Sequence, residues 1–203
     1  MSASAGSTAL ERLAEPGMCA GGRDGGDSVM IDQAYAERYR GWIARARPLL
    51  AAEQWREGFA GYPYMVNEEA PFTPLKRPLA TCTIVPITSG GLYLRATQDP
   101  FDEPNPEGDQ SYRTLPTDLA QSAIAVAHGH YDPVDALADY NSVYPVDRLR
   151  ELAADGVIAG MTPVGYSFMG YLTDAGTFAA NTARAIAEQV VASGADVALL
   201  VPV

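Results

Sequence analysis

The sequence is poor in positive charge, in histidine and in cysteine, and it has no long apolar run. Fourteen Lys and Arg stand against 25 Asp and Glu, for a formal net charge of −11. Sequence-independent binding to nucleic acid needs basic side chains to neutralise phosphates, so this balance argues against it. It argues equally against an anionic membrane surface. No stretch approaches the ~20 apolar residues of a spanning helix, and no basic segment followed by an apolar one marks a signal peptide at the start. The two cysteines, Cys19 and Cys82, do not make a disulfide framework. A soluble protein in a reducing, cytoplasmic setting is therefore expected. Two familiar chemistries are also missing. "TSGG" is not the six-position glycine fingerprint of a dinucleotide fold. "GYSFMG" has Met169 where a nucleophile elbow needs glycine, and no histidine follows it.

Hydrophobic residues make up 47% and charged ones 19%, a globular composition. Residues 1–29, rich in Ser, Gly and Ala, have too few large apolar side chains to offset the entropy of ordering, and are expected to form a mobile extension. A single domain is expected over residues 30–203, with its sheet core in 80–203. A helix is predicted from Met30 to about Ala46, where Tyr35, Tyr39, Trp42 and Ile43 share one face. Pro48 should disturb it, and Leu49–Phe59 can restart it. The Pro-broken segment from Gly61 to Leu79 reads as an extended arm.

From Thr81 the pattern becomes regular. "TCTIVPITSGG" reads as a strand running into Gly90–Gly91, and "LYLRAT" as its extended continuation. Residues 98–116, with four prolines and five acidic residues, form a long polar loop. "SAIAVAHGHYD" is a second strand. "YPVDRLRELAADGV" is a helix opened by Pro145, with Val146, Leu149 and Leu152 on one face and Gly156 as its stop. "VIAGMTPVGYSF" is a third strand. Thr173–Ser193 is a helix with Phe178, Ile186 and Val190 inward, ended by Gly194. "DVALLVPV" is a fourth strand, apolar enough for burial on both faces. Strands alternating with helices predict an α/β fold with an open, mainly parallel sheet and flanking helices, in Rossmann- or flavodoxin-like layers.

Three groups of residues carry possible chemistry. His128 and His130, two apart in "AHGHYD", should point to the same side if the strand persists, with Asp132 close by. The pair can hold loop backbone, take part in substrate binding or proton transfer, or bind a metal with a carboxylate. In "EGDQSYR", Asp109, Ser111, Tyr112 and Arg113 gather a carboxylate, a hydroxyl, a phenol and a guanidinium. Arg113 could grip a carboxylate through its fork, or lie solvated on a surface turn. Ser89 and Asn141 lie at predicted strand ends and loops. Cys82 opens a predicted buried strand and reads as a small core residue rather than a nucleophile.

In order, "PLATCTIVPITSGGLYL", "EGDQSYRTLP", "VAHGHYD", "DYNSVYPVDRLRELAADGVIAGM", "YSFMGY" and "GADVALLVPV" resemble the selenoprotein B family over about residues 62–203. These are the catalytic subunits of the glycine, sarcosine, betaine and D-proline reductases, and the shorter D-proline type is the nearer likeness. Gln110 stands where the resemblance leads one to expect histidine.

The resemblance implies reductive cleavage of the C–N bond of an amino acid or related amine, with a dithiol donor. A selenolate attacks the α-carbon of a substrate held as a Schiff base on a pyruvoyl-bearing partner subunit, and a downstream thiol then closes a selenenylsulfide. The selenocysteine, or a cysteine, is expected directly after Val203. The codon for selenocysteine is usually read as stop, and without this residue the 203 residues should not catalyse the reaction. No cofactor or metal is expected within the chain, and an oligomeric complex is expected. The implied roles are substrate binding by Arg113, Tyr112, Asn141 and Ser89, protonation of the leaving amine by His128 or His130, and orientation of an imidazole by Asp132. Two other readings are a non-catalytic partner-binding protein of the same ancestry and a metal-dependent enzyme centred on His128 and His130.

Overall fold

The computed structural model describes residues 33–66 and 72–203; the reading of residues 1–29 lies outside them. Helix α1 (Gln33–Ala51) buries Tyr35, Tyr39, Trp42 and Ile43 on one face, and Ala46 and Leu50 extend the stripe. Pro48 sits within the last turns of this helix instead of ending it. The stop comes at Glu53, the described non-glycine residue in the left-handed region (φ 57°), with Gln54 N–H closing on the Leu49 carbonyl at 2.9 Å. The predicted second helix shrinks to the single turn α2 (Trp55–Gly58). Gly58 lets Leu50 pack against its backbone, since a Cβ there would lie 2.6 Å from Leu50 Cδ2.

The strands are β1 (Thr83–Thr88), β2 (Leu92–Leu94), β3 (Tyr112–Pro116), β4 (Ile124–Val126), β5 (Gly160–Met161), β6 (Val164–Phe168) and β7 (Val197–Val201). β1 is central. β7 pairs parallel with it on one side, and β5 and β6 pair parallel on the other. β3 lies antiparallel outside β6. Helix α3 (Val134–Ala138) is short; α4 (Val146–Ala154) covers one face of the sheet through Leu149 against Ile84, Ile158, Val197 and Leu199. The other face is covered by one helical run: α5 (Ala175–Phe178), a π turn over Ala179–Ala183, and α6 (Arg184–Ala192). From it Ile186 and Val190 meet Val85, Ile87 and Tyr166. The result is the expected α/β layering, a mostly parallel open sheet between helices.

Several local expectations change. The third strand is split, and Pro86 explains where. Ile84 turns its carbonyl to Thr162 N–H (2.9 Å). Pro86, two residues on, faces the same neighbour with no N–H to give, and the ladder lapses between Met161 and Tyr166. Tyr112–Pro116, taken as loop, is an edge strand. β2 and β4 leave the main sheet and form a separate antiparallel ribbon. Leu152 is exposed, because α4 presents only Val146 and Leu149 inward. β7 is not buried on both faces. Among the described residues it is an edge strand whose residues alternate between half-buried and exposed, and Leu200 is 67% exposed.

Candidate functional site

The carboxyl ends of β1, β6 and β7 meet in one hydrogen-bonded rim, the position where open α/β sheets bind ligands. Ser89 is its knot. Its N–H donates to Val201 O (3.2 Å), its carbonyl accepts from Gly170 N–H (2.8 Å), and its Oγ accepts from Val203 N–H (2.9 Å). Gly91 follows at φ 65°. A Cβ there would lie 2.5 Å from Ala127 O and 2.8 Å from His128 Cβ, so only glycine lets the turn after β4 come this close. Ala127 N–H closes the approach on Gly91 O at 2.9 Å.

That turn carries both histidines, but not as a pair on one side. β4 ends at Val126, and Gly129 lies in a turn, so the alternation of an extended strand no longer applies. His128 is buried at 6% exposure and His130 is exposed, with ring centroids 6.1 Å apart. His128 Nδ1 accepts from His130 N–H at 3.3 Å, while its Nε2 is buried without a partner. Burial, and then the neighbouring His130, hold the His128 pKa down to about 4. Burial lowers that of His130 as well. His130 stacks on Tyr171, centroids 3.5 Å apart and 3° from parallel, with Trp55 edge-on at 5.1 Å. Tyr131 stands 4.8 Å from His128 and donates its hydroxyl to Gly90 O (3.0 Å).

Sequence reasoning missed Tyr131, Tyr171 and Trp55. The first two lie inside the segments "AHGHYD" and "YSFMGY", whereas Trp55 arrives from a distant helix and left no local signal.

The other expected site residues are built into the scaffold around the rim. Asp132 accepts from Val134 N–H (3.1 Å) at the start of α3, and neither imidazole is bonded to it. Arg113 donates to Asp99 O (3.0 Å), Pro100 O (3.2 Å), Tyr112 O (3.1 Å) and Ser111 Oγ (2.8 Å), and lies 4.3 Å over the Phe101 ring. Burial pulls its pKa below the ordinary guanidinium value, against Asp109 and Asp99. Asp109 accepts from the N–H groups of Asp102 (2.8 Å) and Ser111 (2.7 Å) and from the Ser111 hydroxyl. Burial works to raise the Asp109 pKa, but these bonds outweigh it and hold the carboxyl below its usual range.

The polar motif thus locks the long loop, and Phe101 anchors that loop under the rim against Ala127 and Met169. Tyr112 turns away, its hydroxyl taking a bond from Gln189 and its ring packing towards Tyr166. Asn141 bridges Asp139 Oδ1 (2.8 Å) and Asp147 Oδ2 (2.7 Å) and accepts from Asp147 N–H (3.0 Å), which ties the turn to α4. Cys82 is fully buried at the opposite end of β1, its Sγ 3.4 Å from Pro78 O. Among the described residues no three His, Cys, Asp or Glu side chains come together as a metal site, and no helix is long and apolar enough to cross a membrane.

Comparisons with known proteins agree on ancestry. The family model for glycine/sarcosine/betaine reductase selenoprotein B matches residues 30–202. D-proline reductase subunit gamma of Acetoanaerobium sticklandii is 33% identical over 129 residues, which cover 64% of this chain and 52% of that protein. Glycine reductase complex component B subunit gamma of Carboxydothermus hydrogenoformans is 34% identical over 175 residues, 84% of this chain and 39% of that one. Its counterpart in Symbiobacterium thermophilum is 33% identical over 130 residues, 64% and 29% of the two chains. The matches span about half or less of the curated relatives' own lengths. No solved structure gives a significant match. With a family match running from the first described helix through β7, and six sequence segments in the same order, the chain belongs to the glycine/sarcosine/betaine reductase selenoprotein B family.

Proposed function

We propose that this chain forms the strand-end binding scaffold of a B-type reductase subunit. The reaction would be reductive C–N cleavage of an amino acid or related amine within a complex. The observation that carries the reading is the rim itself: Ser89 pins the backbone of Val203 beside Gly90, Gly170 and the His128–Tyr131 turn. A residue placed directly after Val203 would emerge at that rim. The resemblance expects a selenocysteine or cysteine there, which would supply a nucleophile of low pKa, and it expects a pyruvoyl group on a partner subunit to supply the electrophile. This chain's own residues do the rest. Ser89 and Gly170 fix the backbone, Tyr131 and the stacked His130–Tyr171 pair wall the space, and His130, open to solvent, is the imidazole able to pass a proton to a leaving amine. Arg113 and Asp109 act at a distance, by holding the loop that supports the His128 turn.

The test uses two proteins, the 203-residue chain and the same chain extended by selenocysteine or cysteine. Each is combined with a pyruvoyl-bearing reductase subunit and a dithiol, and release of amine or carboxylate from glycine, sarcosine, betaine and D-proline is measured. Turnover by the extended chain alone supports the reading. Turnover by neither, in a complex that has assembled, refutes it.

A further inference from the structure

Three buried side-chain atoms among the described residues lack a hydrogen-bond partner: Tyr35 Oη, Gln110 Oε1 and His128 Nε2. Tyr35 packs on Gly176, and Gln110 Nε2 reaches Asp174 O, so both belong to the start of the α5 helical run. Only His128 lies on the rim. Its geometry also favours one tautomer. The His130 backbone N–H can only donate, so the Nδ1 it points at presents a lone pair, which favours the neutral tautomer with its proton on Nε2. Nε2–H is then a buried donor with nothing to donate to, an arrangement that destabilises the fold. Native proteins rarely leave such a group idle without a reason.

We infer that His128 Nε2–H is a positioning donor for a carboxylate oxygen of a small amino-acid-type ligand. The ligand class rests on the reductase reading, whereas the donor rests on the geometry alone. A metal is the wrong partner, because the nitrogen without a partner is the protonated one and the one with the free lone pair is engaged by His130 N–H. A cation is wrong for the same reason. The neighbouring rings, Tyr131 at 4.8 Å and His130 at 6.1 Å, both stand steeply to the His128 ring, and neither offers Nε2 a hydrogen bond. His130 is the exposed ring of the two. Burial, which keeps His128 uncharged, makes it a donor of fixed direction rather than an acid that shuttles protons.

The experiment is a long-range ¹H–¹⁵N spectrum of the whole chain. The sequence has only two histidines, so His130→Gln leaves a single imidazole and assigns the spectrum. Acetate and glycine are titrated as probes, with methylammonium as the control at matched ionic strength. The expected result is an Nε2–H pattern for His128 unchanged from about pH 5 to about pH 8, and a saturable shift of Nε2 with acetate and with glycine only. An Nδ1–H pattern, an ordinary titration of the ring, a response to methylammonium, or no saturable response to either carboxylate would overturn the assignment. The last outcome would give the donor to a trapped water. No step depends on turnover. An assembled complex that fails to reduce any amine leaves this result standing, and an active complex whose His128 ignores carboxylates sinks only the donor.

Discussion

Lowering the pH from about 7 to about 5 should destabilise the fold, chiefly through His128. The His128 pKa is near 4 in the folded chain against 6.5 for a free imidazole, with burial as the main cause. Between those values the unfolded chain binds a proton that the folded chain refuses, so stability is full above 6.5 and falls as the pH drops towards 4. The whole interval corresponds to about 3 kcal/mol, and about 2 kcal/mol of it is lost by pH 5. For a chain of this length that lowers Tm by roughly 4–8 °C. Carboxylates held below their ordinary value, such as Asp109, Asp147 and Asp196, carry the opposite dependence on their own charge and lose their stabilisation only as the pH falls to 3.8 and below. They therefore do not act in this window. His130 shifts in the same direction as His128 and needs its own control. The assay is thermal unfolding at both pH values for wild type, His128→Gln and His130→Gln. His128→Gln should flatten most of the pH difference. If wild type and His128→Gln lose the same Tm between the two pH values, the imidazole is hydrated, and the buried donor it was assigned does not exist.

Three further perturbations test the scaffold. Gly91→Ala should cost several kcal/mol in urea unfolding, because its Cβ meets Ala127 O at 2.5 Å; Gly156→Ala, at φ 73° but in open space, should cost only about 1 kcal/mol, and equal costs would show that strain alone matters. Arg113→Lys should lose about 1–3 kcal/mol, because a lysine cannot serve Asp99 O, Pro100 O and Ser111 Oγ together; unchanged stability would return the guanidinium to the surface. Leu200→Lys should leave the stability of the isolated chain within about 0.5 kcal/mol, as fits an exposed position, and a large loss would restore a β7 buried on both faces.

What the sequence made legible follows from periodicity. The stripe Tyr35, Tyr39, Trp42 and Ile43, the inward Ile186, and the apolar β1 are set by burial against a single layer, and burial leaves a regular pattern. Pairing does not. β2 and β4, each of three residues, look like any sheet strand, and only tertiary contact decides that they form their own ribbon. Parity misled at the histidines because it assumes extended backbone, which ends at Val126. The dense chemistry of "EGDQSYR" was visible, but its target was not. A guanidinium that can grip a carboxylate can equally grip the carbonyls of a loop, and the sequence does not say which is nearer. In β7 the apolar run is real, yet an edge strand can be apolar on both sides and still be covered on only one.

The two ends of β1 divide the chemistry of the domain. At its amino end, Asp196 accepts from Thr83 N–H (2.8 Å) and pairs with Arg77, and Cys82 lies sealed beneath the Pro78 turn. At its carboxyl end are Ser89, the glycine pair and the histidine turn. Cys82 and Thr88 are six residue steps apart in extended chain, about 20 Å at the rise of a strand. The thiol therefore cannot reach a ligand at the rim without dissolving the central strand, and its burial gives it no access to reductant. Any thiol or selenol chemistry at the rim must come from outside the described residues. The described residues then supply what a strand-end site needs before chemistry begins: a fixed backbone, ring walls, one exposed imidazole and one buried one.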